Sequence, residues 1–149
     1  MKKVEKISAA ENYAAVTIGN FDQLSEHLFV LAPGIEIPGK VFVGESVQST
    51  GTEVSFTVVP AGAGGDFLHT HKTNEELYIV LKGSGEFQVD GNHFPISEGS
   101  VVRISPDGKR AWKNTGNTPL TMICIQSKNG SLKDLGVTDG VMLKEKINW

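Results

Sequence analysis

Phe67-Leu68-His69-Thr70-His71-Lys72-Thr73-Asn74-Glu75-Glu76-Leu77-Tyr78-Ile79-Val80-Leu81-Lys82-Gly83 is the most informative stretch of the chain. On a strand, His69 and His71 point to the same side about 6.6 Å apart along the backbone, so both imidazoles converge on one point. Residues 72–75 supply a turn, after which Glu76 opens the apolar run 77–81 and returns a carboxylate toward that point. Tyr78, two residues on, shares its face. A pair of histidines at i and i+2 also occurs on exposed strand faces, and the carboxylate at this spacing is what distinguishes the group. Two imidazoles and one carboxylate form a site with open positions, suited to Fe(II), Mn(II), Ni(II) or Zn(II).

Outward from this stretch, glycines recur at short intervals and enclose runs that alternate with period two, the pattern of half-buried strands. Val54, Phe56 and Val58 alternate with Ser55 and Thr57, Phe87 and Val89 with Glu86 and Gln88, and Met122, Cys124 and Gln126 with Thr121, Ile123 and Ile125. Asp90-Gly91 is a strong hairpin dipeptide, and Glu98-Gly99, Pro106-Asp107-Gly108, Thr115-Gly116-Asn117 and Asn129-Gly130 mark further turns. This spacing predicts an all-β sandwich or barrel over about 40–127. Residues 9–16 and 22–31 are expected to hold short helical or irregular pieces. The segment 131–149, ending in Trp149, is expected to wrap back onto the barrel, giving a single domain over 1–149.

The bulk properties agree with such a domain. The 149 residues are 39% hydrophobic, and 14 Lys and Arg stand against 17 Asp and Glu, a net charge of −3. That balance leaves no field to gather polyanions, so nucleic acid is not an expected partner. No apolar run is long enough for a signal peptide or a membrane span, which predicts a cytoplasmic protein with no membrane partner. The single cysteine, Cys124, lies in an apolar run and reads as a small core residue. His93 reads as an exposed strand residue after the 90–91 turn, and His27 sits in an N-terminal segment with no evident partners.

Together these residues resemble the cupin superfamily. Its first motif runs Gly, five residues, His, one, His, three or four, Glu, six, Gly, and His69, His71, Glu76 and Gly83 match it. The leading Gly is displaced by one, to Gly62 or Gly64. The second motif runs Gly, five residues, Pro, one, Gly, two, His, three, Asn; here Gly99 and Asn114 match, and Pro106 and Gly108 fall one residue late. The resemblance implies a double-stranded β-helix, a jelly-roll barrel of two antiparallel sheets, with His69, His71 and Glu76 as ligands of a divalent transition metal. It also implies a homodimer, since small barrels leave edge strands to cover.

The sequence departs from the family at the last metal ligand, where the second motif's His is replaced by Arg110. A guanidinium has five donors and no acceptor and stays charged, so it cannot ligate. At about 6 Å and an effective dielectric of about 20 it would oppose a divalent cation by about 5 kcal/mol. Three arrangements are open: Arg110 turns to solvent beside a three-ligand metal, it faces inward and holds an anionic ligand, or it pairs with Glu76 in a metal-free pocket. The function expected is binding of a small molecule, with a carboxylate as the candidate ligand, held by Arg110 and Tyr78. The chemistry would be that of a metal-dependent dioxygenase or isomerase; the alternative is a non-catalytic sensor or binding module.

Overall fold

The alternating runs become strands because each can bury one face. A computed structural model of the chain describes residues 1–132 and 136–149. The element order is β1 (Glu5–Ala10), β2 (Tyr13–Thr17), a 3-10 turn (Phe21–Glu26), β3 (Leu28–Ala32), β4 (Ile35–Pro38), β5 (Lys40–Phe42), β6 (Thr52–Val59), β7 (Asn74–Lys82), β8 (Ser84–Val89), β9 (Asn92–Ser97), β10 (Val101–Ile104), β11 (Arg110–Lys113) and β12 (Leu120–Lys128), with a final 3-10 turn at Gly136–Asp139. β5 to β12 build a jelly-roll barrel from a five-stranded sheet, in the order β10-β7-β12-β6-β5, and a three-stranded sheet, β11-β8-β9. Every pairing within them is antiparallel. The hairpins β1-β2 and β3-β4 stand outside these two sheets.

The Asp90-Gly91 signal is met: both residues have positive φ, 51° and 81°, and they join β8 to β9 in the primed geometry that suits a twisted hairpin. Gly83, between β7 and β8, has φ 88°, and a Cβ there would lie 2.5 Å from the Pro119 carbonyl oxygen, so both backbone and space demand glycine.

Cross-strand register arranges the inner face of the larger sheet in rows. One row reads Phe42, Ser55, Cys124, Tyr78 and Val102, a second Glu53, Gln126, Glu76 and Ile104, and a third Lys40, Thr57, Met122 and Val80. Residues directly opposite one another point to the same side, so these side chains share one face. Val59, Tyr78, Val80, Phe87, Ile96, Ile104, Leu120, Met122 and Cys124 form the apolar cluster between the sheets. The other face of β6 is also covered: Val54, Phe56 and Val58 pack on Ile18, Leu24, Val41 and Val43 beneath the N-terminal segment.

Two expectations about the extensions change. Residues 9–16 belong to the β1-β2 hairpin, and 22–31 divide between the first 3-10 turn and β3. The terminal segment does not pack on the barrel as expected, because Val141, Met142, Leu143, Ile147 and Trp149 are all exposed. Residues 133–135 of that segment lie outside the described residues. No helix among the described residues is long and apolar enough to cross a membrane.

Candidate metal centre

His69 and His71 are not on a regular strand, contrary to the sequence reading. They lie on the irregular connection between β6 and β7, which is laced to β11 and the loop before it by single backbone pairs. The His69 N–H donates to the Arg110 carbonyl at 3.3 Å, the Arg110 N–H returns to His69 O at 3.2 Å, and the His71 N–H donates to Pro106 O at 2.9 Å. Gly65 N–H donates to Trp112 O at 2.9 Å, and Gly64 bridges to Lys113. A Cβ on Gly64 would meet Trp112 O at 2.9 Å, so the leading glycine of the first motif is needed for close approach of two backbones. Asn114 completes the anchor: its buried amide donates to Val59 O and Thr118 O, each at 2.8 Å, and its Oδ1 accepts from Gly116 N–H.

This connection brings the two imidazoles over Glu76, which β7 holds between Ile104 on β10 and Gln126 on β12. One donor atom from each of His69, His71 and Glu76 lies within 4.8 Å of the others. His71 Nε2 is 3.1 Å from Glu76 Oε1, and His69 Nε2 is 3.8 Å from Oε2. The side chains of His69 and His71 are 29% and 25% exposed, while that of Glu76 is 3% exposed, so the group opens to solvent on the histidine side. Two ligand atoms about 2.0–2.1 Å from one ion, at right-angle to tetrahedral spacing, stand about 2.8–3.4 Å apart, and the His71 and Glu76 atoms, 3.1 Å apart, already meet this. His71 Nε2 is buried and makes no hydrogen bond. An unpaired imidazole nitrogen beside a carboxylate oxygen is a donor set that fits a divalent transition metal.

Arg110 settles into the third of the arrangements open to it as far as its own contacts go. Its side chain is fully buried and crosses from the smaller sheet to the larger, where Nε and Nη2 donate to Glu76 Oε2 at 2.9 and 2.6 Å. Nη1 donates to the carbonyls of Gly108 at 2.9 Å and Pro106 at 3.4 Å. The loop carrying the late Pro and Gly of the second motif therefore wraps the guanidinium. Tyr78, on the same face as Glu76 as expected, donates its hydroxyl to Oε2 at 2.8 Å. Oε2 thus accepts three hydrogen bonds, leaving Oε1 to face His71 and the Cys124 thiol, whose Sγ donates to it at 3.4 Å.

The protonation states follow from these contacts. Burial pushes the Glu76 carboxyl up, but the hydrogen bonds from Arg110 and Tyr78 and the Arg110 charge outweigh it, and the net shift is downward. Burial and then the Arg110 charge lower His69, against the pull of Glu76, so its imidazole is neutral near pH 7 with a lone pair free. Burial, reinforced by the Glu76 charge, pushes Cys124 up to about 12 and raises Tyr78 well above its ordinary value. Both remain protonated donors.

Beneath the histidines lies an aromatic wall: Trp112 is 6.0 Å from His69 and 5.3 Å from Tyr78 between ring centroids, and Tyr78 is 5.0 Å from Phe87. Phe67 is exposed and Phe56 faces the N-terminal cluster. The other histidines stand apart from the centre. His93 is exposed and pairs with Glu86 at 2.8 Å. His27 does have a partner: it is buried, with Nε2 3.0 Å from Ile18 O. Sequence reading missed Lys40 and the polar face of β6, Ser55 and Thr57, which the inner rows place inside the barrel. The signal was present in Ser55 and Thr57 alternating with apolar neighbours, but which face is inside depends on register.

An antiparallel jelly roll on which two histidines and a glutamate converge defines the class. The Cupin domain family matches residues 55–126. The crystal structure of a cupin protein from Bacteroides fragilis is 36% identical, with a TM-score of 0.67 over 96% of this chain and 99% of that one. The chain belongs to the cupin family. An uncharacterized protein of Methanocaldococcus jannaschii is 36% identical over 82 residues, 55% of this chain and 65% of that protein. The oxalate-binding protein of Thermotoga maritima is 34% identical over 58 residues, 39% of this chain and 48% of that protein. The chain thus spans less than two thirds of the curated relatives it matches.

Proposed function

We propose that this cupin binds a divalent transition metal through His69, His71 and Glu76 Oε1 and uses it to hold a small carboxylate-bearing molecule. The observation that carries this reading is the buried His71 Nε2, which has no hydrogen-bond partner and stands 3.1 Å from the one glutamate oxygen that Arg110 and Tyr78 leave free. When bound, the ion would act as a Lewis acid on an oxygen of the ligand. The chain's own residues do the rest. Arg110 keeps Glu76 ionised and fixes its orientation from outside the ligand set, as hydrogen-bonded partners of metal ligands do. Trp112 and Tyr78 wall the site, and the histidine side admits the ligand. The similarity to an oxalate-binding protein supports a small carboxylate as the ligand class.

An isomerase- or dioxygenase-like activity is the catalytic form of this proposal, in a cytoplasmic homodimer whose interface covers the exposed apolar side chains of the terminal segment. A second reading, a metal-free binding module, is favoured by one observation: the Arg110 pair already neutralises the Glu76 charge. Elemental analysis of protein purified without a metal-affinity tag, beside His69→Ala and Glu76→Gln, separates the two. Stoichiometric metal in the native chain and its loss in both variants is expected; a metal-free native chain that still binds small carboxylates gives the second reading.

A further inference from the structure

The turn that holds the His71 backbone is gripped from both faces of the larger sheet. Ser105 O accepts the Gly108 N–H at 3.1 Å and closes residues 105–108 into a turn, whose Pro106 carbonyl accepts the His71 N–H at 2.9 Å. From within, Arg110 Nη1 donates to the Pro106 and Gly108 carbonyls of this turn. From without, a second arginine reaches it. Arg103, on the edge strand β10, stands opposite Leu77 of β7 and so on the sheet face away from Glu76 and Tyr78. Its guanidinium spans three segments: Nη1 donates to Ser105 Oγ at 3.1 Å, Nε to Glu75 Oε2 at 2.6 Å and Nη2 to Asn129 Oδ1 at 2.8 Å. The Asn129 N–H in turn donates to the Thr73 carbonyl at 3.0 Å.

These contacts bracket the candidate metal ligands along the chain. Thr73 lies two residues after His71, Glu75 is next to Glu76, and Ser105 opens the turn on which the His71 N–H rests. His71 itself lies outside every strand, and its Nε2 makes no hydrogen bond. Its placement therefore depends on what fixes the backbone on either side. A single exposed ion pair fixes little, since it costs the entropy of two long side chains. Arg103 differs because one planar fork, 52% exposed, orders three partners at once, and its Glu75 partner is 22% exposed. His93 and Glu86 form the ordinary counterpart, an exposed pair within the β8-β9 hairpin.

We propose that Arg103 is a positioning residue for the centre. From the outer face of the sheet it holds the 105–108 turn, the start of β7 and the turn after β12 together, and so fixes the approach of His71 to Glu76 Oε1. Its effect on an ion rests on the metal-site reading above; its effect on the His71 backbone does not. Two arginines then act on one centre, Arg110 orienting Glu76 from within and Arg103 holding the His71 turn from without.

Mn(II) titration calorimetry on the full chain tests this, together with amide hydrogen exchange and the melting temperatures of the metal-free proteins. Arg103→Gln should weaken Mn(II) binding about tenfold, the scale on which residues outside a ligand set act, and move the melting temperature by no more than about 3 °C. The His71 N–H should exchange faster, while the Val43 N–H, bonded to Val54 O at the far edge of the sheet, should not. Arg103→Lys keeps the charge without the fork and should recover little. Asn129→Ala removes one arm and should lose a few fold, and Glu86→Gln should bind Mn(II) as the native chain does. Native affinity in Arg103→Gln overturns the proposal, as does full recovery in Arg103→Lys or an equal loss in Glu86→Gln. A native chain that takes up no Mn(II), with faster His71 exchange in Arg103→Gln, removes the metal reading and keeps the positioning role; unchanged exchange in that case overturns both.

Discussion

The two apolar clusters of this molecule are built from similar residues to different ends. Beneath the N-terminal segment, Ile18, Leu24, Val41 and Val43 meet Val54, Phe56 and Val58, and the buried polar group beside them, His27, is satisfied by a backbone carbonyl. Inside the barrel, the cluster around Val80, Phe87 and Met122 shares its space with Glu76, Arg110, Ser55, Thr57 and Asn114, all buried. A cluster that only packs can be apolar throughout. An interior that carries charges and hydroxyls bears their desolvation, which internal partners such as the Arg110–Glu76 pair offset.

The largest test of that contrast is Arg110→Met. It leaves Glu76 buried without its guanidinium partner, and urea denaturation should show a loss of about 3–5 kcal/mol. Arg110→His carries the same risk to stability but adds an imidazole and removes a fixed charge, so in calorimetry it should bind metal more tightly than the native chain. Leu24→Ala, in the other cluster, should cost about 2–4 kcal/mol by leaving a cavity and should leave metal content unchanged. Loss of metal in that variant would mean that the clusters are not separable.

A smaller effect distinguishes the clusters by pH. His69 has a lowered pKa, so protons bind the unfolded chain better, and stability should begin to fall as pH drops through about 6.5, the ordinary value. Glu76 is also lowered, so its contribution is complete above about 4.5 and is lost as pH falls from there through its folded value. At the alkaline end Cys124 acts oppositely: raised to about 12 from an ordinary 9.0, it makes stability decline as pH rises through that interval. Thermal melts of His69→Ala should lose the first step of the acid decline and keep the second. An unchanged acid profile in that variant would show that His69 does not carry the step.

The barrel was legible from the sequence because alternation in β6, β8 and β12 and the Asp90-Gly91 turn are local signals. His69, His71 and Glu76 could be grouped because they lie within eight residues of one another, 69 to 76. Their local form was misjudged, since it depends on backbone pairs with Arg110 and Pro106, some forty residues later in the chain. The fate of Arg110 was equally out of reach: only folding sets β11 opposite β7, where a buried carboxylate captures the guanidinium. Lys40 is a lone cation on a three-residue strand, and nothing local tells which side of the sheet it takes. The terminal segment illustrates the reverse error, in which apolar residues such as Met142 and Trp149 were assigned to packing although the structure leaves them exposed.

The central claim, that two imidazoles and Glu76 Oε1 make a metal centre despite Arg110, is tested most directly by metal titration of His71→Ala against the native chain after both have been stripped with chelator. The account predicts that the native chain takes up close to one equivalent of Mn(II), Fe(II), Ni(II) or Zn(II) and is stabilised by it, while His71→Ala takes up none at the same concentration. Equal uptake by the two proteins, or none by either, would contradict it.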